Sequence, residues 1–260
     1  MSFPVYIPLF GLKIHPHFVF ESLAYTVGFF VYRKLKSRFG DPVDDGVRWS
    51  VIAAAALGSV IGSKVLYWLE DPASVIHNWN NPAVLLGGKT IVGGLVGGLI
   101  AVEWVKRRMG ETQRTGDLFA VPMCIGIAVG RIGCFLSGLE DDTYGFPTSL
   151  PWGINFGDGK FRHPTQLYEL IFVLVLAVVL YMQMKRPHLQ GDIFKFFMVA
   201  YFGWRLFIDF IKPDARLLGM TSLQWASIAM LIFYSRDVFR WITAPLPAKI
   251  TGTEPIIPAE

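Results

Sequence analysis

Residues 118–136 read Leu-Phe-Ala-Val-Pro-Met-Cys-Ile-Gly-Ile-Ala-Val-Gly-Arg-Ile-Gly-Cys-Phe-Leu, an apolar run whose one charge is Arg131. A bilayer core about 30 Å thick takes roughly 20 helical residues to cross, which this run supplies. Six further stretches share its character: approximately Phe18–Tyr32, Val51–Leu69, Thr90–Val105, Gln166–Met184, Ile193–Ile211 and Leu223–Tyr234, the first and last extended by amphipathic flanks. Composition agrees, since 53% apolar residues, 17% charged residues and a mean hydropathy of +0.44 do not suit a soluble globule. With 15% aromatic residues and two cysteines, disordered, collagen-like and disulfide-stapled classes are excluded. The expectation is an all-α polytopic membrane protein of about seven transmembrane helices, in a single transmembrane domain covering residues 1–260.

Loop charge orients it, because cytoplasmic loops retain Lys and Arg. The odd-numbered helices exit into Arg33, Lys34, Lys36, Arg38 and Arg48, then Lys106, Arg107, Arg108 and Arg114, then Lys185, Arg186 and Lys195, then Arg236, Arg240 and Lys249. The opposite side holds only Lys13, Lys89, Lys160, Arg162, Lys212 and Arg216. This predicts the N-terminus out and the C-terminus in, with 242–260 as a cytoplasmic tail. The first fifteen residues lack a basic start and a cleavage site, so the first helix serves as the insertion signal. The net charge of +4 follows from loop asymmetry and phospholipid contact, and no nucleic-acid partner is inferred.

Gly58/Gly62, Gly93/Gly97, Gly94/Gly98 and Gly126/Gly130 have the spacing for close helix approach, which predicts a tight centre of helices two, three and four. Pro122 should kink helix four or open its first turn. Cys124 and Cys134, about 15 Å apart along that helix, are too distant for a disulfide and read as packing residues. No inverted repeat is visible, which disfavours a secondary transporter. The outer loop 138–163 is long and lacks periodicity, as functional or mobile loops do.

A charge inside hydrocarbon costs at least about 2.5–3.5 kcal/mol, so every membrane-depth ionisable residue needs a partner or a wet cavity. Taking Tyr201 as origin, Arg205, Asp209 and Lys212 fall at about 40°, 80° and 20° on a helical wheel, one narrow stripe. It reads either as a self-neutralising ladder or as the wall of a cavity. Arg131 sits between Gly130 and Gly133, small residues that admit a headgroup to a planar fork suited to phosphate. Lys64 reads as snorkelling outward. His163-Pro164-Thr165-Gln166-Leu167-Tyr168-Glu169 is a helix start with Pro164 in its first position, carrying more polar groups than capping needs. Helix one adds Glu21 and Tyr25, and Glu21 has no obvious local partner. Together these residues predict a pocket for an anionic headgroup whose tails remain in lipid. An enzyme, a flippase and an anion channel are all compatible with it.

The chain resembles the prolipoprotein diacylglyceryl transferases of bacterial inner membranes. Gly130-Arg131-Ile132-Gly133-Cys134-Phe135-Leu136-Ser137-Gly138 is similar to that family's Gly-Arg-x-Gly-Asn-Phe-x-Asn-Gly, and His163 to Glu169 to its His-Pro-Ser-Gln-Leu-Tyr-Glu. Tyr201-x-x-x-Arg205-x-x-x-Asp209-Phe210-x-Lys212, followed by Pro213-Asp214-Ala215, resembles Tyr-x-x-x-Arg-x-x-x-Glu-Phe-x-Arg-Pro-Asp-Ala. Gly93-Gly94-Leu95-Val96-Gly97 resembles the end of His-Gly-Gly-Leu-x-Gly.

The resemblance implies seven spans, residence in the inner membrane as a multi-pass protein, and transfer of a diacylglyceryl group from phosphatidylglycerol to the lipobox cysteine of a prolipoprotein signal peptide. Glycerol phosphate is released. Such a site must hold the phosphate, stabilise its leaving charge and accept the thiol proton. It implies catalytic roles for Arg131, Arg205, His163, Glu21, Asp209 and Tyr201, with substrate contacts from Gly130, Gly133, Gln166, Tyr168, Glu169, Asp142, Tyr25, Lys212, Gly93 and Gly94. No metal or organic cofactor is called for, and no Cys/His spacing typical of a metal site stands in the sequence. A monomer is the default. Several positions depart from the pattern: the family's histidine is Val92, its asparagines are Cys134 and Ser137, its helix-one tyrosine is Glu21, and its Glu-x-Trp-Gly is Asp142-Thr143-Tyr144-Gly145. The proton acceptor must then be His163, Glu21 or Asp209. The alternatives are a divergent paralogue with another acceptor and a non-catalytic lipid-binding or transport protein.

Overall fold

The computed structural model describes residues 3–9, 11–214 and 218–243. Arg216, Lys249 and the stretch 244–260 of the expected tail lie outside the described residues. The chain is mainly helical: α1 (Pro16–Phe39), α2 (Asp45–Trp68), α3 (Pro72–His77), α4 (Pro82–Leu86), α5 (Ile91–Met109), α6 (Asp117–Ser137), α7 (Thr165–Met184), α8 (Asp192–Ile208), α9 (Ser222–Phe233) and α10 (Ser235–Thr243). Each predicted apolar segment falls on one of these helices, α8 ending in a 3-10 turn at Asp209–Ile211. Among the described residues three helical stretches are long and apolar enough to cross a membrane: Asp45–Trp68, Asp117–Asp141 and Thr165–Met184. Phe18, Phe30, Leu57, Ile61, Ile171 and Val175 project outward from α1, α2 and α7, an apolar surface suited to lipid.

Local chemistry sets the ends. Thr90 caps α5 by accepting from the Gly93 N–H, and Gly110, at φ 70°, closes it in the left-handed conformation. Thr221 and Gln224 form a reciprocal capping box on α9. Pro122 lies inside a continuous α6, and Pro164 stands just before α7 rather than within it.

The glycine rows do two different things. In α2 and α5 they face one another: a Cβ on Gly62 would strike the carbonyl oxygen of Gly93, and one on Gly58 that of Gly97. Helix four, α6, does not join this seam through its glycines. It packs between α1 and α7, Gly126 lying against the Ala24 carbonyl of α1, while a Cβ on Gly130 would meet nothing within 4 Å. The central trio expected from spacing is therefore a pair, with α6 at the heart of a second layer.

Two short antiparallel hairpins interrupt the all-α expectation: β1 (Ile7–Leu9) with β2 (Leu12–Ile14), and β3 (Ile154–Asn155) with β4 (Phe161–Arg162). The second lies inside the outer loop, which is folded, opening with a 3-10 turn at Gly138–Asp141. The Gly145 N–H donates to the His163 carbonyl, and Phe146 N–H to Ile211, which seats the loop over the ends of α7 and α8. Lys64 donates to the carbonyls of Gly87 and Gly88, at 2.8 and 2.6 Å, so backbone oxygens receive its charge at the end of α2.

Candidate functional site

Three helices converge on one carboxylate. α7 supplies Glu169, α6 Arg131, and α8 Tyr201 and Arg205. Glu169 Oε2 lies 2.8 Å from Arg131 Nη2 and 3.2 Å from Arg205 Nη1, while the Tyr201 hydroxyl donates to Oε1 at 2.6 Å. The helix stops at Ile208, so Asp209 and Lys212 belong to the turn beyond it rather than to a continuous stripe. They still join the network: Arg205 Nη2 donates to Asp209 Oδ1 at 2.8 Å, and Lys212 Nζ is 3.7 Å from the same oxygen. All six side chains are buried.

Three cations against two carboxylates leave this buried cluster with one positive charge. Polar atoms also remain without hydrogen-bond partners: Nε of Arg131, Nε of Arg205, Oδ2 of Asp209, and both amide atoms of Gln166, one turn before Glu169 on α7. A buried donor left unmade costs roughly 1–3 kcal/mol, and native structures carry few of them. A cluster with surplus positive charge, spare guanidinium donors and open space beside Gly130 is chemically equipped for a phosphate.

The remaining expected residues lie elsewhere. His163 Nδ1 is 3.2 Å from the Tyr168 hydroxyl, which accepts from the Trp152 indole at 2.8 Å, a partly exposed chain tying the outer loop to the start of α7. Glu21 has a partner, forming an ion pair with Lys89. Tyr25 is 74% exposed on the outer face of α1. Gly93 and Gly94 face α2: a Cβ on Gly93 would strike the Gly62 carbonyl oxygen, while one on Gly94 would rest in ordinary contact with Ser59. Gly133 lets the start of α1 approach, since a Cβ there would press on Phe20. Asp142 is exposed in a left-handed conformation, whereas its neighbour Asp141 turns inward. Asp117, heptad-spaced from Arg131, caps α8 by accepting from the Gly191 and Phe194 N–H groups.

One grouping was not anticipated. The ligand atoms of His17, Cys134 and Asp141 lie within 4.8 Å of one another, so Cys134 does more than fill space. Sequence spacing hides it because α1, α6 and the 3-10 turn each give one residue. The available signals were Cys134 one helical turn after Arg131, and His17 one turn before Glu21.

Beside the cluster, Tyr67, Glu70, Asp71, Asp214, Thr221 and Leu223 line a hollow of about 260 Å³. Burial, with the Asp214 carboxylate nearby, pushes Glu70 up to about 7, although Arg205 and Lys212 oppose this. Burial likewise raises Asp214 above the usual carboxylate range.

A family model described as prolipoprotein diacylglyceryl transferase matches residues 4–236. The chain is 30% identical over 250 residues to a phosphatidylglycerol–prolipoprotein diacylglyceryl transferase of Clostridium tetani, covering 91% of this chain and 98% of the relative. Proteins of the same name from Geobacter sulfurreducens and Bordetella parapertussis are each 31% identical, over 240 and 193 residues. These matches cover 84% of this chain and 86% of the relative, and 70% of each, respectively.

Proposed function

This chain belongs to the prolipoprotein diacylglyceryl transferase family, and from that premise we propose how its buried cluster works. The reaction is transfer of the diacylglyceryl group of phosphatidylglycerol to the lipobox cysteine thiol of a prolipoprotein, with release of glycerol phosphate. The family match favours this over a paralogue with another acceptor and over a non-catalytic lipid-binding protein.

The observation that carries the site assignment is the shared carboxylate. Arg131 and Arg205 hold the lipid phosphate from two sides, and Glu169, pinned by Tyr201, fixes both guanidiniums in place. The single surplus positive charge matches the single negative charge of a phosphodiester. As the carbon–oxygen bond breaks, charge grows on the phosphate, and two fixed guanidiniums stabilise it without reorganising. Gly130 leaves room beside Arg131, and Gln166 offers its free amide to the headgroup. Lys212 adds positive field through Asp209.

The thiol proton needs an acceptor. His163 is engaged with Tyr168 and Glu21 with Lys89, while Asp209 keeps Oδ2 without a partner. Asp209 is therefore the acceptor in this reading. His163 and Asp142 belong to the loop 138–163, which covers the site from outside, and Tyr168, in the first turn of α7, is paired with His163. Tyr25 meets lipid, and Gly93, Gly94 and Gly133 set helix spacing.

In the membrane the chain is a multi-pass monomer of the inner membrane. α1, α5, α8 and α9 complete seven spans with α2, α6 and α7, N-terminus out and residues 242–260 in the cytoplasm. The segregation of Lys and Arg supports that orientation. Residues 1–260 form one transmembrane domain. Purified protein in phosphatidylglycerol vesicles with a lipobox peptide should yield diacylglyceryl peptide and glycerol phosphate in equal amounts. Peptide left unmodified, with no glycerol phosphate, overturns the assignment.

A further inference from the structure

His17, Cys134 and Asp141 bring an imidazole nitrogen, a thiol sulfur and a carboxylate oxygen together beside the arginine cluster. We propose that these three side chains bind a zinc ion whose fourth position takes the acceptor thiolate. The first half stands on geometry alone; the second rests on the transferase reading.

The donor set is that of a zinc site with three protein ligands and one exchangeable position. Bonds of about 2.0–2.3 Å in tetrahedral geometry place ligand atoms roughly 3.3–3.8 Å apart. The three atoms here all lie within 4.8 Å, with His17 and Asp141 in direct ion-pair contact, so side-chain rotation that parts this pair admits an ion among them. Nδ1 of His17 is shielded from solvent and lies 2.6 Å from Asp141 Oδ1, yet makes no aligned hydrogen bond.

Outer groups hold each ligand, as zinc sites require. Asp141 Oδ2 accepts from the Thr143 hydroxyl at 2.7 Å. The far ring nitrogen of His17 faces Glu21 at 3.8 Å, and Lys89 fixes Glu21. Arg131 Nη1 lies 3.6 Å from Cys134 Sγ, so the same guanidinium serves the sulfur and the phosphate clamp. Gly133 brings α1 close enough for His17 to reach Cys134. With a thiolate, a carboxylate and a neutral imidazole, the ion is neutral; an incoming thiolate makes the centre negative, and Arg131 offsets that charge.

Coordination would lower the acceptor thiol's pKa, and its proton would pass to Asp209. The sulfur lone pair forms the bond to the glyceryl carbon while the carbon–oxygen bond breaks, its electron pair leaving on the phosphate. The thioether, a poorer ligand than a thiolate, then departs.

The test uses the full chain, purified in chelator-treated buffer and loaded with zinc or cobalt alone. We expect one zinc per chain, a sulfur-to-cobalt charge-transfer band, and at least a tenfold loss of zinc affinity in Cys134→Ser and in Asp141→Asn. No zinc bound to the wild type overturns the site. So does bound cobalt without the sulfur band, a measurement that needs no variant. Metal-free protein that transfers lipid at the full rate overturns the thiolate role and leaves the transferase reading standing. Zinc bound stoichiometrically by a chain with no transfer activity supports the site while the transferase reading fails.

Discussion

Arg131 and Arg205, on different helices, share one oxygen of Glu169, at 2.8 and 3.2 Å. A carboxylate shared in this way sets the spacing of two cations that would otherwise repel. Burying charges is costly, and breaking such a network by removing one member costs about 3–5 kcal/mol. Glu169→Gln should therefore lower the stability of the purified protein by that order, read as a large fall in unfolding temperature in detergent. An unchanged unfolding temperature would show that the network does not hold the guanidiniums.

Arg205 reaches Glu169 through one nitrogen and Asp209 through another. Lysine has no fork, so it cannot span both. Arg205→Ala and Arg205→Lys should each reduce lipid transfer in proteoliposomes by about 10²–10³-fold or more, on the scale seen when one preorganised donor is removed. Recovery of wild-type transfer by Arg205→Lys would mean that charge alone suffices.

Gln166 is buried with both amide atoms unpartnered, which costs stability unless a ligand uses them. Gln166→Leu should leave the unfolding temperature equal or higher while lowering transfer, chiefly by raising the KM for phosphatidylglycerol. A drop in stability with unaltered kinetics would assign the amide to the fold instead.

Glu70 titrates near 7 in the folded chain against an ordinary value of 4.5. The folded state thus binds the proton more tightly than the unfolded state, and stability should fall as pH rises from 4.5 to 7 and level off above. Glu70→Gln should flatten part of that slope, Asp214 retaining the remainder. Identical unfolding curves across this window would place Glu70 in water.

Gly62 has no space for a side chain beneath the Gly93 carbonyl. Gly62→Ala should cost about 1–3 kcal/mol by forcing α2 and α5 apart. Thermal unfolding of the variant checks it.

Much of this was legible in the sequence, for reasons that differ between residues. The seven apolar segments fall on helices because length and hydropathy are local properties. Tyr201, Arg205 and Asp209 could be grouped because they lie on one or two turns of chain, although the end of α8 at Ile208 could not be read from a wheel that assumes continuity. The partner of Glu21 was hidden because Lys89 comes from the connection just before α5. Glycine spacing showed that α2, α5 and α6 can approach something closely, but not what, and α6 chose α1 and α7. The neighbours of Cys134 were hidden because His17 and Asp141 reach it only after α1 folds against Gly133.

The central claim, that two buried guanidiniums grip the lipid phosphate, is tested most directly by binding. Native mass spectrometry of the wild type, Arg131→Gln and Arg205→Gln in equal mixtures of phosphatidylglycerol and a neutral diacylglycerol should show phosphatidylglycerol retained by the wild type and lost from both variants. Equal retention of phosphatidylglycerol by all three chains would contradict it.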